Sequence, residues 1–219
     1  FAGYILHHRV NNEDLTPCRP FFYEKLHKMI EGLSMAKAIL EINYWCAEEA
    51  TYHTTDDRTA SAECVYRSAY GRCGEESTFA VSVFRSVGIP ARQVYVPLWS
   101  HCDDNHAWVE VWSDGTWKFL GACEPEEVLN KGWFTNASSR AMMVHSRWLL
   151  PVRPQEEQVG RTGMALVANQ LKTYAKTTTV EVTVLNVDST PASGAEIRFG
   201  VLNYAEFGEI ACARADAKG

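Results

Sequence analysis

The chain has 219 residues, 46% hydrophobic, 11% aromatic and 22% charged, the balance of an ordinary globular protein with room for one or two packed cores. Its 27 acidic and 21 basic residues leave a formal net charge of -6, which argues against nucleic acid and anionic membrane surfaces as partners. No apolar run approaches membrane-spanning length.

Phe1 to Arg19 reads as a short helix and a polar turn ending in Pro17 and Pro20, and Phe21 to Gly32 as a helix. Leu33 to His53 is the best amphipathic helix. Leu33, Ala36, Leu40, Tyr44 and Ala47 share one stripe, which Met35, Ile39, Ile42 and Cys46 widen. These helices carry no chemical motif, so their expected role is packing. Thr54 to Ala62 is a polar break, and Cys64 to Arg72 leads to the next helix.

That helix begins at Cys73. Gly71 and Gly74 flank the cysteine and let the backbone turn. Glu75, Glu76 and Ser77 fill a first helical turn, where acidic side chains are favoured. Ala80, Val81, Val83, Phe84 and Val87 leave almost no polar face, so burial on most sides is expected, and Gly88-Ile89-Pro90 stops the helix. Cys73 thus sits where unpaired N–H groups and the helix dipole favour a thiolate. Arg92 to Leu98 then reads as a strand and Trp99 to Asn105 as a loop. His106 to Trp112 is a strand with His106, Trp108, Glu110 and Trp112 on one face and Ala107, Val109 and Val111 on the other. Asp114-Gly115 is a two-residue hairpin signal, and Trp117 to Cys123 returns, closed by Glu124-Pro125. A Cys on a helix, a His at the start of the next strand pair and an acid at its end follow the order of a Cys/His/acid triad.

The motifs Gly71-Arg72-Cys73-Gly74-Glu75-Glu76-Ser77, Gly88-Ile89-Pro90-Ala91-Arg92 and Asp103-Asp104-Asn105-His106-Ala107-Trp108-Val109-Glu110-Val111-Trp112 are followed by a tryptophan and then an acid before proline. Together they resemble the core of the transglutaminase-like superfamily, a papain-related fold, over roughly Cys64 to Pro125. The resemblance implies an α+β fold with helices packed on an antiparallel sheet, Cys73 as nucleophile and His106 as base. Family members usually carry Asp shortly after that tryptophan, where this chain has Gly121; the acid nearest to it is Glu124, the third catalytic candidate. With Asp114-Gly115 as the loop, Trp112 pairs with Trp117 and His106 comes opposite Cys123. Glu124 then reaches the His106 face only through a bulge, expected at Gly121-Ala122. Tyr66 and Tyr70 are candidate oxyanion donors beside the Cys73 N–H, and Trp108, with Trp99 and Trp112, is a candidate cleft residue.

The implied chemistry is attack on an amide or peptide carbonyl to give a thioester. Resolution by water makes a peptidase or amidase, and resolution by an amine makes a cross-linking protein-glutamine acyltransferase. A chain that kept the fold and lost the activity would be a binding or scaffold module. Hydrolysis is favoured, because bacterial members of the superfamily resemble peptidases and no EF-hand calcium loop is visible. The expected partner is a protein or peptide substrate. The run His101 to His106 gathers metal-ligand residue types but fits no common zinc spacing, and neither a phosphate loop nor a dinucleotide fingerprint is present, so no metal or other cofactor is expected. The seven cysteines, Cys18, Cys46, Cys64, Cys73, Cys102, Cys123 and Cys212, contain no CxxC pair and suit either disulfides with one free thiol or seven reduced thiols.

Glu126 to Phe134 reads as a short helix and loop with Trp133 buried, and Ala141 to Leu150 as a strand on the catalytic sheet. From about Tyr174 the pattern changes. Thr177 to Leu185 alternates β-branched and polar residues, Pro191 to Gly194 is a turn, and Ile197 to Leu202 and Ile210 to Arg214 are further strands. The expected division is a transglutaminase-like catalytic domain at 1–172 and, at 173–219, the start of a β-sandwich resembling the immunoglobulin-like or prealbumin-like modules of exported bacterial proteins, with further C-terminal domains beyond.

Overall fold

A computed structural model of the chain describes residues 2–56, 58–149 and 155–219. It has mixed helix and antiparallel sheet, the expected α+β class, and two compact units: Phe1–Tyr95 with His106–Thr135, and Val96–Asn105 with Asn136–Gly219.

The first unit opens with a π-helical turn, Ala2–Leu6, then α1 at Cys18–Leu26 and α2 at Met35–Glu49. Ser34 caps α2, its side chain accepting from the Lys37 N–H. The helix stops at Ala50, short of the expected His53, because β1 (Thr51–Tyr52) turns extended and pairs in parallel with β2 (Tyr70–Gly71). Its buried face is Ala38, Ile39, Ile42, Asn43 and Cys46, whereas Met35 and Tyr44 are exposed. The apolar stripe is therefore the one read as secondary, and it contains an asparagine. Between β1 and β2 lies α3 (Ala62–Ser68), not anticipated from the sequence, capped by Ser61 and ended by Ala69 in the left-handed region.

The next helix, α4 (Cys73–Ser86), is the centre of the core. Phe79, Ala80, Val81, Val83 and Phe84 are fully buried, as their pattern predicts. Burying each of the larger side chains contributes about 1.5–3 kcal/mol. Gly88, with φ +82, lets the chain leave the helix end. Buried Arg85 donates to the carbonyls of Ala91, His7 and Arg9, which ties the N-terminal segment to the helix, and burial pushes its pKa down to about 9.

In this unit β3 (Ala91–Val96), β4 (His106–Ser113) and β5 (Thr116–Leu120) lie in the order β5-β4-β3. Asp114 and Gly115, with φ +53 and +80, form the expected two-residue hairpin, and Trp112 pairs with Trp117. Both faces of β4 are covered. Val109 and Val111 join the core around α4. On the opposite face Glu110 Oε2 accepts from Arg92 Nε at 2.6 Å. The guanidinium lies 4.2 Å from the Trp117 ring and donates to Tyr4 Oη at 3.2 Å.

The second unit contains the short helix turn α5 from Thr135 to Ser138, where the first unit ends, then β6 (His145–Leu149), β7 (Gln158–Thr162) and β8 (Ala165–Asn169). The strands are ordered β6-β8-β7, with β8 antiparallel to both neighbours. The β7–β8 hairpin was not legible in the sequence. The expected strand ending at Leu150 is β6, and Leu150 itself is outside the described residues. After α6 (Leu171–Tyr174), β9 (Glu196–Asn203) and β10 (Glu206–Arg214) form an antiparallel hairpin that matches the two predicted C-terminal strands and fits part of a β-sandwich. The strand expected at Thr177–Leu185 does not form; its nearest pairing is a single bridge from Leu185 to Pro191, and Val180 is exposed. Alternation supplies a strand pattern, but a strand needs a partner edge, and β9 and β10 pair with each other. His145 Nε2 donates to the Ile210 carbonyl at 2.7 Å, and burial pushes His145 down to about 4, so the ring is neutral. No helix among the described residues is long and apolar enough to cross a membrane.

Candidate active site

The start of α4 is built around Glu75. Its carboxylate accepts from the N–H groups of Arg72 at 3.1 Å and Ala60 at 2.9 Å and from Thr55 Oγ1 at 2.5 Å, which pins the polar segment before α3 to the helix terminus. Gly71 is required by this arrangement, since a Cβ there would come 2.9 Å from the Glu75 Cβ. At the first helical position, the Cys73 thiol accepts from the backbone N–H groups of Ala107 and Gly74. The first of these bonds brings the sulfur to the peptide that joins His106 to Ala107.

The resting thiol is not poised as a thiolate. Burial pushes its pKa up and the Glu76 charge adds to this, while the Ala107 and Gly74 N–H groups and Arg72 hold it down without reversing the direction. The expectation from the helix terminus alone is therefore corrected: desolvation exceeds the dipole. Glu76 itself is pushed up to about 8 by burial and by the charges of Glu124 and Glu75, so at neutral pH it is protonated and its opposition to a thiolate is relieved.

His106, 6% exposed, begins β4 with its ring 4.6 Å from Trp133, 5.1 Å from Phe134 and 5.8 Å from Trp108. Trp108 is 0% exposed and stacks on Phe134. It backs the histidine and does not line an open cleft, a correction to its expected role. Trp133 is also corrected: it is 63% exposed, and the residue buried there is its neighbour Phe134. The expected helix before it is an irregular segment.

The bulge expected at Gly121-Ala122 does not form. The β4–β5 ladder ends at Val109↔Leu120, and the chain turns from Gly121 to Glu124 through Cys123 at φ +56. The Glu124 side chain folds back under Gly121. A Cβ on Gly121 would collide with Glu124 Oε2 and lie 2.8 Å from its Cβ. The carboxyl of Glu124 thus fills the space that a side chain at position 121, where the superfamily usually has its Asp, would occupy. Trp133 Nε1 donates to Oε1 at 3.0 Å, and Oε2 is buried with no hydrogen-bond partner among the described residues. Burial pushes the Glu124 carboxyl up and the Glu126 charge adds to this, while the Trp133 N–H opposes it.

The tyrosine candidates lie in other surroundings. Tyr66 packs in an aromatic cluster with Phe21, Phe22 and Trp45 under Lys25 Nζ, and Tyr70 is exposed with its ring 5.4 Å from His53. Sequence reasoning missed Asn43 and the place of Trp133 in the site, whereas the opposition of the Glu76 charge to a Cys73 thiolate follows from their spacing in the first turn of α4. The signal for Asn43 was an amide inside an apolar helical stripe. None of the seven cysteines is in a disulfide, and among the described residues no group of three His, Cys, Asp or Glu side chains is arranged to hold a metal ion.

The transglutaminase-like superfamily core profile matches residues 26–122. No curated protein matches the chain. Similar solved structures include a candidate cysteine protease from Cytophaga hutchinsonii at 16% identity, covering 70% of this chain and 57% of that one with a TM-score of 0.41. A structure named a TGase has 18% identity, 50% and 33% coverage and a TM-score of 0.40. A candidate protease from Parabacteroides distasonis has 16% identity, 64% and 28% coverage and a TM-score of 0.45. This chain therefore spans between about a quarter and little more than half of the length of those proteins. The match, which takes in the Cys73 helix and the His106 hairpin, makes residues 26–122 similar to the transglutaminase-like superfamily core, the resemblance read from the motifs.

Proposed function

We propose that the chain is a cysteine enzyme that cleaves an amide or peptide bond through Cys73, His106 and Glu124. One observation carries this reading: the Cys73 sulfur meets the His106–Ala107 peptide, beside an indole that also holds the Glu124 carboxyl. In the reaction His106 takes the thiol proton as the sulfur attacks the carbonyl carbon. The oxyanion is met by the Cys73 N–H, which at the first position of α4 has no carbonyl of its own helix to bond. Collapse breaks the C–N bond, His106 returns its proton to the departing amine, and a thioester remains. Water, deprotonated by His106, then releases the acid and restores the thiol. Glu124 orients the histidine through the Trp133 side of the site, and the exposed indole of Trp133 is the surface offered to substrate.

The pH dependence of Cys73 alkylation by iodoacetamide tests the pair, read by peptide mass spectrometry. Because burial raises the thiol, labelling at neutral pH depends on a base, and His106→Ala should slow it by about tenfold or more, within the range of a lost general base. Above about pH 8 Glu76 loses its proton and its charge opposes the thiolate, so Glu76→Gln should raise the rate at pH 9 and leave it unchanged at pH 7. A Cys73 that titrates as an ordinary thiol, indifferent to His106, would make the fold a scaffold and sink the catalytic reading.

Gly121 gives a second test. Gly121→Ala adds only a methyl group, yet that atom collides with the Glu124 carboxyl. It should lower turnover of a quenched-fluorescent peptide library about as far as Glu124→Gln does, on the order of 10²-fold. Full activity in Gly121→Ala would remove Glu124 from the mechanism.

A further inference from the structure

We propose that Asn43 is a positioning residue of this site: from α2 it fixes the Gly121–Glu124 turn, and through that turn the Glu124 carboxyl and the Trp133 indole beside His106. The inference rests on the Cys73–His106–Glu124 reading above. Asn43 is 1% exposed and its amide is fully used. Nδ2 donates to the carbonyls of Gly121 at 2.9 Å and Glu124 at 3.2 Å, and Oδ1 accepts from the Cys123 N–H at 3.1 Å.

The turn needs such a brace. Its own closing bond, Glu124 N–H to the Gly121 carbonyl, is long at 3.4 Å, and Cys123 sits at φ +56, a conformation that a residue with a Cβ adopts at a cost. Beyond Leu120 the β4–β5 ladder no longer holds the strand. Asn43 replaces it with bonds to both ends of the turn and to the residue inside it. No other small side chain supplies two donors and one acceptor in that span: serine is too short, leucine removes all three bonds and leaves the Gly121 carbonyl only the long turn bond, and aspartate turns both donations into repulsions. Downstream, the turn sets where the Glu124 carboxyl lies under Gly121, and Oε1 takes the Trp133 N–H, whose ring rests 4.6 Å from His106. Asn43 touches no reacting atom in this chain of contacts. It acts through Glu124.

A double-mutant cycle tests this, with the iodoacetamide rate of Cys73 at pH 7 as readout, so that no substrate need be known. Asn43→Ser should slow labelling in the wild type by about tenfold, the usual cost of loosening a partner that orients a site residue. In the Glu124→Gln background it should slow it by less than about twofold, because the part it acts through has already been lost. The indole N–H resonance of Trp133, assigned by its loss in Trp133→Phe, should move in both Asn43→Ser and Glu124→Gln. Where Asn43→Ser does not fold, Asn43→Asp, which keeps the acceptor for the Cys123 N–H, carries the same cycle. Additive losses, an unmoved Trp133 signal, or failure of both Asn43 variants to fold would assign Asn43 to general stability and overturn the proposal. Wild-type labelling no faster than that of His106→Ala would instead show that the catalytic reading itself had failed.

Discussion

Replacing Cys73 with alanine should abolish turnover, by on the order of 10⁴-fold or more, in both a quenched-fluorescent peptide library and an amine-incorporation assay with monodansylcadaverine and casein. In the proposed mechanism the reason is covalent: without the sulfur no thioester would form, and neither water nor an amine would have an intermediate to resolve. His106→Ala should cost nearly as much, because burial pushes the Cys73 pKa up and the proposed mechanism then depends on a base to release the thiolate. The double variant should then be no worse than Cys73→Ala alone, since residues that act as one unit lose their effects non-additively. Thermal unfolding of Cys73→Ala should stay within about 1 kcal/mol of the wild type, which separates lost chemistry from lost fold. Whichever assay reports wild-type turnover also decides between hydrolysis and transfer. Residual activity of a few per cent in Cys73→Ala would exclude the cysteine mechanism.

The largest expected effect on stability is at Glu110. Its side chain is fully buried and paired with Arg92 at 2.6 Å, whose side chain is 5% exposed. Removing one member of such a pair strands the other charge away from water, at a cost of about 3–5 kcal/mol. Glu110→Ala should therefore lower Tm by about 10 °C, at roughly 2–4 °C per kcal/mol for a chain of this size. The pair as a whole is worth far less than either member, because each charge loses its hydration on burial. Arg92→Met combined with Glu110→Leu should recover most of the loss and can equal the wild type. A Tm drop in the double variant as deep as in Glu110→Ala would mean that the stacking of Arg92 on Trp117 and its bond to Tyr4, and not the charge balance, hold this side of β4.

The same pair shows what a linear pattern conveys. Arg92 and Glu110 belong to the two motifs Gly-Ile-Pro-Ala-Arg and His-Ala-Trp-Val-Glu-Val-Trp that carry the family resemblance. Alternation places Glu110 opposite Val109 and Val111, as found, but it does not say that both faces are covered. Alternation records which residues share a face, not what lies over that face. The stripe on α2 is a similar case: its period was legible, but its centre lay on Ile39, Ile42, Asn43 and Cys46, set by what packs against it. The strand expected at Thr177–Leu185 had the pattern and lacked the partner.

What the sequence by itself determined are the features whose cause is local. The buried helix α4 from Cys73, its stop at Gly88, the Asp114-Gly115 hairpin and its Trp112–Trp117 register follow from side-chain period and from backbone conformations that few residues tolerate. Only the tertiary structure decided the rest of the site. Burial, not the helix terminus, sets the direction of the Cys73 pKa, because desolvation depends on neighbours distant in sequence. The carboxyl of Glu124 fills the place of a side chain at Gly121 because the chain turns back on itself and Asn43, 78 residues earlier in the sequence, holds the Gly121 carbonyl. A contact across that separation leaves no period in the chain, so it becomes visible only when α2 and the turn are brought together.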